Sequence, residues 1–186
     1  DVEGSPNSSG GWHRINIDNN IVVDNMAGLA GGGISLQDTA LAFIRHNTVA
    51  NNDSTATVGA VFDPMANQST AQPAGIVARA HSSDLAAAFG NAGAVQAYKV
   101  FSNPTLQNNI VWHNRSFYWA IDTACDPTGP TPCFGLEPNV GAGDAPVYDD
   151  LAVLDVAVPE GAPPVCLNPQ NGILTTLSDG TCAYAA

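Results

Sequence analysis

Arg45 with His46, and His113 with Arg115, are the side chains best suited to acid–base work on an anionic substrate. Abstracting a proton next to a carboxylate needs a base, plus cations that stabilise the enolate charge as it forms. Beyond these two arginines the chain offers only Arg14, Arg79 and Lys99 as cations. The four residues are a possible ligand face, and an ordinary solvated outer face is the plainer expectation. Glycoside hydrolysis would need two convergent carboxylates instead. No catalytic residue is assigned.

Asp144, Asp149, Asp150 and Asp155 cluster with Glu137 and Glu160 nearby. Hard oxygen ligands on a glycine-bearing loop could hold calcium, the one cofactor the sequence suggests. Their spacing matches neither an EF-hand nor a Gly-Gly-x-Gly-x-Asp nonapeptide, so plain solvation is the competing reading. Trp112, Phe117, Tyr118 and Trp119 form an aromatic patch that could stack sugars or simply pack. His81 stands alone beside a strand candidate and reads as a surface or internally satisfied histidine.

All four cysteines, Cys125, Cys133, Cys166 and Cys182, fall in the last third of the chain. An even count in an irregular, core-poor stretch suggests disulfides. Three pairings exist, and Cys125–Cys133 with Cys166–Cys182 is the simplest because each closes a short loop. Zinc is the rival, but Cys-x-x-Cys spacing is absent. Disulfides imply an oxidising compartment, so the chain is expected to be secreted, periplasmic or at the cell surface. Asn-x-Ser sequons occur at Asn7, Asn52, Asn67 and Asn114.

Five Lys+Arg against seventeen Asp+Glu give 186 residues a formal charge of −12. Such a surface repels phosphate backbones and anionic headgroups, so nucleic acid is not an expected partner. It is also a poor receptor for acidic uronate polymers. Hydrophobic residues make up 45% of the chain and charged ones 12%, a composition that supports a packed core rather than disorder. No apolar run is long enough to span a membrane.

The elements that would position these groups come from internal self-similarity. Ile17-Asp18-Asn19-Asn20-Ile21-Val22-Val23-Asp24-Asn25 aligns without gaps with residues 44–52 and 106–114. The offsets are 27 and 62, the second read as roughly two periods of 31. Ile17/Ile44/Leu106 and Val22/Val49/Val111 would form apolar stacks in the core. Asn20/Asn47/Asn109 and Asn25/Asn52/Asn114 would form ladders of stacked amides at corners, where asparagine tolerates left-handed backbone. The same alignment puts Asp24, Asn51 and His113 in one polar column. Gly32-Gly33-Ile34 maps onto Gly59-Ala60-Val61, and Gly31 to Gly33 suggests a corner that admits no Cβ. A coil of parallel strands satisfies all of this, with a sandwich carrying Asn turns as the alternative.

Asn-Asn-Ile-Val-Val-Asp-Asn, Gly-Gly-Gly-Ile and Asn-Asn-Ile-Val-Trp-His-Asn make the chain resemble the right-handed parallel β-helix proteins, the pectate-lyase-like fold, in bacterial secreted and surface versions. Gly31 to Ile34 is also loosely similar to the Gly-Gly-aliphatic motif of polymorphic outer-membrane protein passengers, without the repeated Phe-x-x-Asn. The resemblance covers about residues 13–120 and implies an all-β solenoid. Many such proteins are polysaccharide lyases, epimerases or hydrolases, whose lyase base is usually Arg or Lys beside acid-held calcium. The Asn-Thr-Asp, paired Asp, Gly-His-Gly and Arg-Ile-Lys signatures of the hydrolases are missing here.

The expected organisation is an N-terminal segment 1–12, flexible or held by a partner, then β-helix rungs over 13–121, then a disulfide-stapled irregular C-terminal cap over 122–186. Insertions are expected at about 63–73 and 82–103. Ala74–Ala78 reads as a strand of the missing turn, Leu85–Phe89 as a short helix capped by Ser82 or Ser83, and 147–158 and 173–177 as strand candidates. The function expected is a non-catalytic structural or interaction module, the C-terminal part of a larger β-helix protein. A carbohydrate-active enzyme or carbohydrate-binding module is the alternative. The first rung lacks a visible cap, so its partner is expected to be another protein chain or the missing N-terminal part of its own precursor.

Overall fold

Strands of two to seven residues, separated by tight corners, build the computed structural model, which describes residues 13–61, 68–89, 100–121, 128, 133–179 and 181–185. In chain order the strands are β1 (Arg14–Asp18), β2 (Ile21–Val23), β3 (Met26–Ala27), β4 (Ile34–Leu36), β5 (Leu41–Arg45), β6 (Thr48–Ala50), β7 (Asp53–Ser54) and β8 (Ile76–Arg79). They continue with β9 (Thr105–Gln107), β10 (Ile110–Trp112), β11 (Arg115–Ile121), β12 (Phe134–Pro138), β13 (Leu151–Leu154), β14 (Pro169–Gln170) and β15 (Ile173–Leu174). One helix, α1 (Ser83–Phe89), lies among the described residues between β8 and β9, and Ser82 Oγ accepts from Leu85 N at its start. No described helix is long and apolar enough to cross a membrane.

Four sheets result, ordered β1-β5-β9-β14, β2-β6-β10-β15, β3-β7-β11-β12 and β4-β8-β13. All pairings between them are parallel except β11 with β12. Successive passes of the chain therefore lie side by side, so the fold is stacked parallel strands with few helices. Register is in step with the sequence alignment: Ile17 faces Ile44 and Ile44 faces Leu106, while Val22 faces Val49 and Val49 faces Val111. Alternation along each strand turns these side chains inward. Ile44, Val49, Leu106 and Val111 are buried in one cluster that also takes in Ile76, Leu151, Leu167, Leu174 and Tyr184. Each such side chain contributes about 1.5–3 kcal/mol of burial.

The structure corrects the reading of the 62-residue offset. β6 pairs directly with β10, and Asn52 bonds directly to Asn114, so the offset is a single layer with long loops rather than two periods. No layer fits between strands that already share hydrogen bonds. The strand at Ile76–Arg79 is accordingly the fourth strand of the second layer. It also replaces Gly59–Val61 as the partner of β4: Ile34 pairs with Ile76, and Gly59–Val61 forms a 3-10 turn. Stacked strands continue past residue 121, where β13 extends the β4-β8 sheet and β14 and β15 begin a fourth layer.

The glycine corner behaves as expected. A Cβ on Gly32 would lie 2.3 Å from the Asp53 carbonyl oxygen, and one on Gly33 would lie 2.6 Å from Val49 Cγ1. The two layers approach too closely there for any side chain.

Candidate functional site

Two corners flank the β2-β6-β10-β15 sheet, and each uses a left-handed residue followed by a ladder asparagine, except that Gly172 follows Asn171. The left-handed positions are Asn19, His46, Asn108 and Asn171 at one corner, and Asp24, Asn51 and His113 at the other, all with φ of 52–58°. The ladder asparagines come one residue later, which shifts the sequence expectation by one position. They are not the strained residues but the ones that bond the layers together. A short polar side chain suits the left-handed position, and His46 and His113 occupy it as well.

Each ladder runs with a fixed polarity. Asn20 donates its backbone N–H (2.9 Å) and Nδ2 (3.1 Å) to Asn47 Oδ1, and Asn47 donates the same two groups to Asn109 Oδ1. Asn25, Asn52 and Asn114 repeat the scheme. Nδ2 of each inner asparagine also donates back to the preceding layer, Asn47 to the Ile17 carbonyl and Asn52 to the Val22 carbonyl. Asn47, Asn52, Asn109 and Asn114 are buried with their side-chain amides bonded, whereas Asn20 and Asn25 are exposed.

The two arginines of the ligand face are already engaged. Arg45 makes a bidentate pair with Asp18 (2.9 and 2.7 Å), and Arg115 does the same with Asp53 (2.9 and 2.7 Å). The hydrogen bond from Arg45 holds the Asp18 carboxyl below its ordinary value. The alignment of the segments contained this signal, because the offsets of 27 and 62 that relate the asparagines also relate Asp18 to Arg45 and Asp53 to Arg115. Arg45 and His46 belong to one corner, and His113 and Arg115 to the other.

His113 is stacked between Trp112 (ring centroids 4.8 Å apart) and Tyr148 (4.6 Å), a partner the sequence did not suggest. Trp119 stacks on Phe134 of β12 at 5.4 Å, and Phe117 lies under the Arg115 guanidinium at 5.3 Å. The outward side of the β2-β6-β10-β15 sheet is apolar: Ile21, Thr48, Ile110 and Ile173 share one row, and Val23, Ala50 and Trp112 the next. Ile21, Ile110, Trp112 and Ile173 are exposed there. His81 has a fully buried side chain, with Nδ1 3.6 Å from Asp38 and its ring 5.7 Å from Phe89.

The four acids considered for calcium perform separate tasks. Asp150 is buried and ends the second ladder: its Oδ1 accepts from Asn114 Nδ2 at 2.9 Å and its Oδ2 from Thr175 N at 2.7 Å. Asp149 accepts from Ser116 Oγ at 2.6 Å, and burial raises its pKa. Asp155 pairs with Arg79 at 2.6 Å, and Asp144 is exposed at a left-handed position. Among the described residues no group of three His, Cys, Asp or Glu side chains is arranged to hold a metal ion.

Cys166 and Cys182 form a disulfide, and Cys133 is also disulfide-bonded, while Cys125 lies outside the described residues. Residues 1–12, 62–67 and 90–99 lie outside them too, with the sequons at Asn7 and Asn67. Near the disulfide, Asp179 accepts from Thr181 N, Cys182 N and the Tyr184 hydroxyl. Burial works to raise the Asp179 pKa, but these bonds outweigh it and lower the value. Comparison with known proteins finds no family model that matches, no curated relative and no similar solved structure.

Proposed function

We propose that the chain is a non-catalytic structural and interaction module, a right-handed parallel β-helix that forms the C-terminal part of a larger secreted or cell-surface protein. The inequality of its two ends carries this reading. At the far end the Asn114 ladder stops on an accept-only carboxylate, β12 folds back antiparallel, and the Cys166–Cys182 disulfide ties the tail into the core cluster. At the near end β1, β2, β3 and β4 are all edge strands among the described residues, and Ile17 and Val22 are only part-buried where Ile44 and Val49 are fully so. An open layer of this kind presents unpaired backbone and core, which stacked folds normally cover. The disulfide supports an oxidising compartment. Hydrogen exchange tests the reading: amides of β1–β4 should exchange far faster than those of β5–β8, and equal protection would overturn it.

A second reading, carbohydrate binding, is favoured by one observation, the exposed strip of Ile110, Trp112 and Ile173 bordered by polar corner residues. Trp112 fluorescence titrated against a panel of neutral polysaccharides tests it, with Trp112→Ala as the control. No saturable change would remove it.

A further inference from the structure

Resting on the open-layer reading above, we infer that the first layer is completed by a preceding coil of the same polypeptide that carries Asn-x-x-x-x-Asn and donates to Oδ1 of Asn20 and Asn25. In both ladders the backbone N–H and Nδ2 of one layer donate to Oδ1 of the next. Among the described residues nothing donates to Oδ1 of Asn20 or Asn25, although each donates onward to Asn47 or Asn52. Among the described residues the near end is therefore a pair of open acceptors five residues apart, beside half-covered Ile17 and Val22.

The polarity selects the occupant. A second copy placed first layer to first layer sets Oδ1 against Oδ1 and runs its strands in the opposite direction. A second copy offering its far end lacks the donor set, because both Asn114 groups are taken by Asp150 and Gly172, the position after Asn171, offers a backbone N–H but no Nδ2. A coil of the chain's own asparagine type, running in the same direction, presents what is required: two N–H and two Nδ2 groups, with inward aliphatics over Ile17 and Val22. Joined covalently, it adds no association cost beyond closing the connection.

A duplicate of residues 14–40, inserted between His13 and Arg14 of the full chain, supplies such a coil at the 27-residue spacing of the first two layers. Its isosteric counterpart carries Asn20→Asp and Asn25→Asp within the duplicate, which keeps shape, backbone N–H groups and inward aliphatics but replaces each Nδ2 donor by an acceptor. The expected result is at least tenfold slower exchange of the β1–β4 amides and a higher Tm with the asparagine duplicate, and much less of both with the aspartate duplicate. Equal protection from the two duplicates would overturn the donor requirement while leaving the open layer intact. Protection from neither, or β1–β4 amides already protected in the unextended chain, would overturn the open layer itself. A concentration-dependent dimer of the unextended chain that protects β1–β4 would overturn the choice of occupant.

Discussion

Asp150 completes the ladder of Asn114 across 36 residues of sequence: its Oδ1 takes the two hydrogen bonds that an asparagine of the next layer would take, at 3.3 Å from the backbone N–H and 2.9 Å from Nδ2. An asparagine in a ladder must donate onward as well as accept. A carboxylate accepts on both sides, and here the second oxygen takes Thr175 N at 2.7 Å. The choice of acid over amide at this position follows from the two donors that face it.

Asp150→Asn should therefore destabilise the fold despite being isosteric. Either amide orientation sets Nδ2 against a donor, Asn114 Nδ2 or Thr175 N, leaving a buried group unsatisfied at about 1–3 kcal/mol. Urea unfolding of the variant measures this, and an unchanged midpoint would show that the carboxylate is not needed there.

Position within the ladder should set the cost of losing an amide. Asn52→Ala takes Nδ2 from the part-buried Val22 carbonyl and from buried Asn114 Oδ1, which keeps only the Asn52 backbone N–H, at about 1–3 kcal/mol in all. Asn25→Ala removes only Nδ2 from Asn52 Oδ1, at an exposed edge where water replaces it and the backbone N–H stays, and should cost less than about 1 kcal/mol. Similar losses for the two variants in denaturant unfolding would contradict the difference.

Much of the stack was legible because alternation and corner chemistry act locally. Ile17, Ile44 and Leu106 had to share a column once Asn20, Asn47 and Asn109 did, and the register agrees. The long offset was misread because sequence distance does not measure spatial distance once a loop leaves the stack: the chain from Ser54 to Ile76 and the stretch holding α1 add residues without adding a layer. The Asn114–Asp150 contact was not legible, since a side chain entering from another segment breaks the period that made the ladder visible. His113 was read as a ligand-face residue; its left-handed backbone follows the column it shares with Asp24 and Asn51, but its stack with Tyr148 accompanies an Arg115–Tyr148 bridge that no spacing announced.

Reduction of the Cys166–Cys182 disulfide should loosen the tail before the stacked strands. The bridge spans 16 residues, and closing a loop of about 15 is worth about 3 kcal/mol in the chain-entropy account. Leu167, Cys182 and Tyr184 belong to the same core cluster as Leu106 and Val111, so the loss is felt by the last layer first. Limited proteolysis after reduction should cut near residues 160–180 while β5–β8 amides stay protected. Simultaneous loss of both would show that the bridge holds the whole stack.

The sequons at Asn52 and Asn114 should remain unmodified when the chain is made in a glycosylating host. Both side chains are fully buried, and each Nδ2 is committed to a carbonyl and a ladder partner. Glycan attachment would replace one amide hydrogen by a bulky sugar within the stack. Glycopeptide mass mapping of folded secreted material checks this, and occupancy at either site would be incompatible with the ladder.

Two acids near the far end should give opposite pH dependences. Burial raises the Asp149 pKa above 3.8, so the folded state binds its proton more tightly than the unfolded state. Linkage then makes stability fall as pH rises from 3.8 through the folded value, and Asp149→Asn should become progressively more stable than the parent over that window. Asp179 has the other sign: its pKa is lowered by bonds from Cys182 N, Thr181 N and the Tyr184 hydroxyl, so its contribution is present above 3.8 and is lost as pH falls through the folded value. Asp179→Asn should therefore cost most near neutrality and least in acid. Thermal unfolding of the parent and both variants from pH 3 to pH 7 reads the two slopes separately. Slopes that both fall with rising pH would mean that burial governs both carboxylates, and slopes that both rise would mean that hydrogen bonding does.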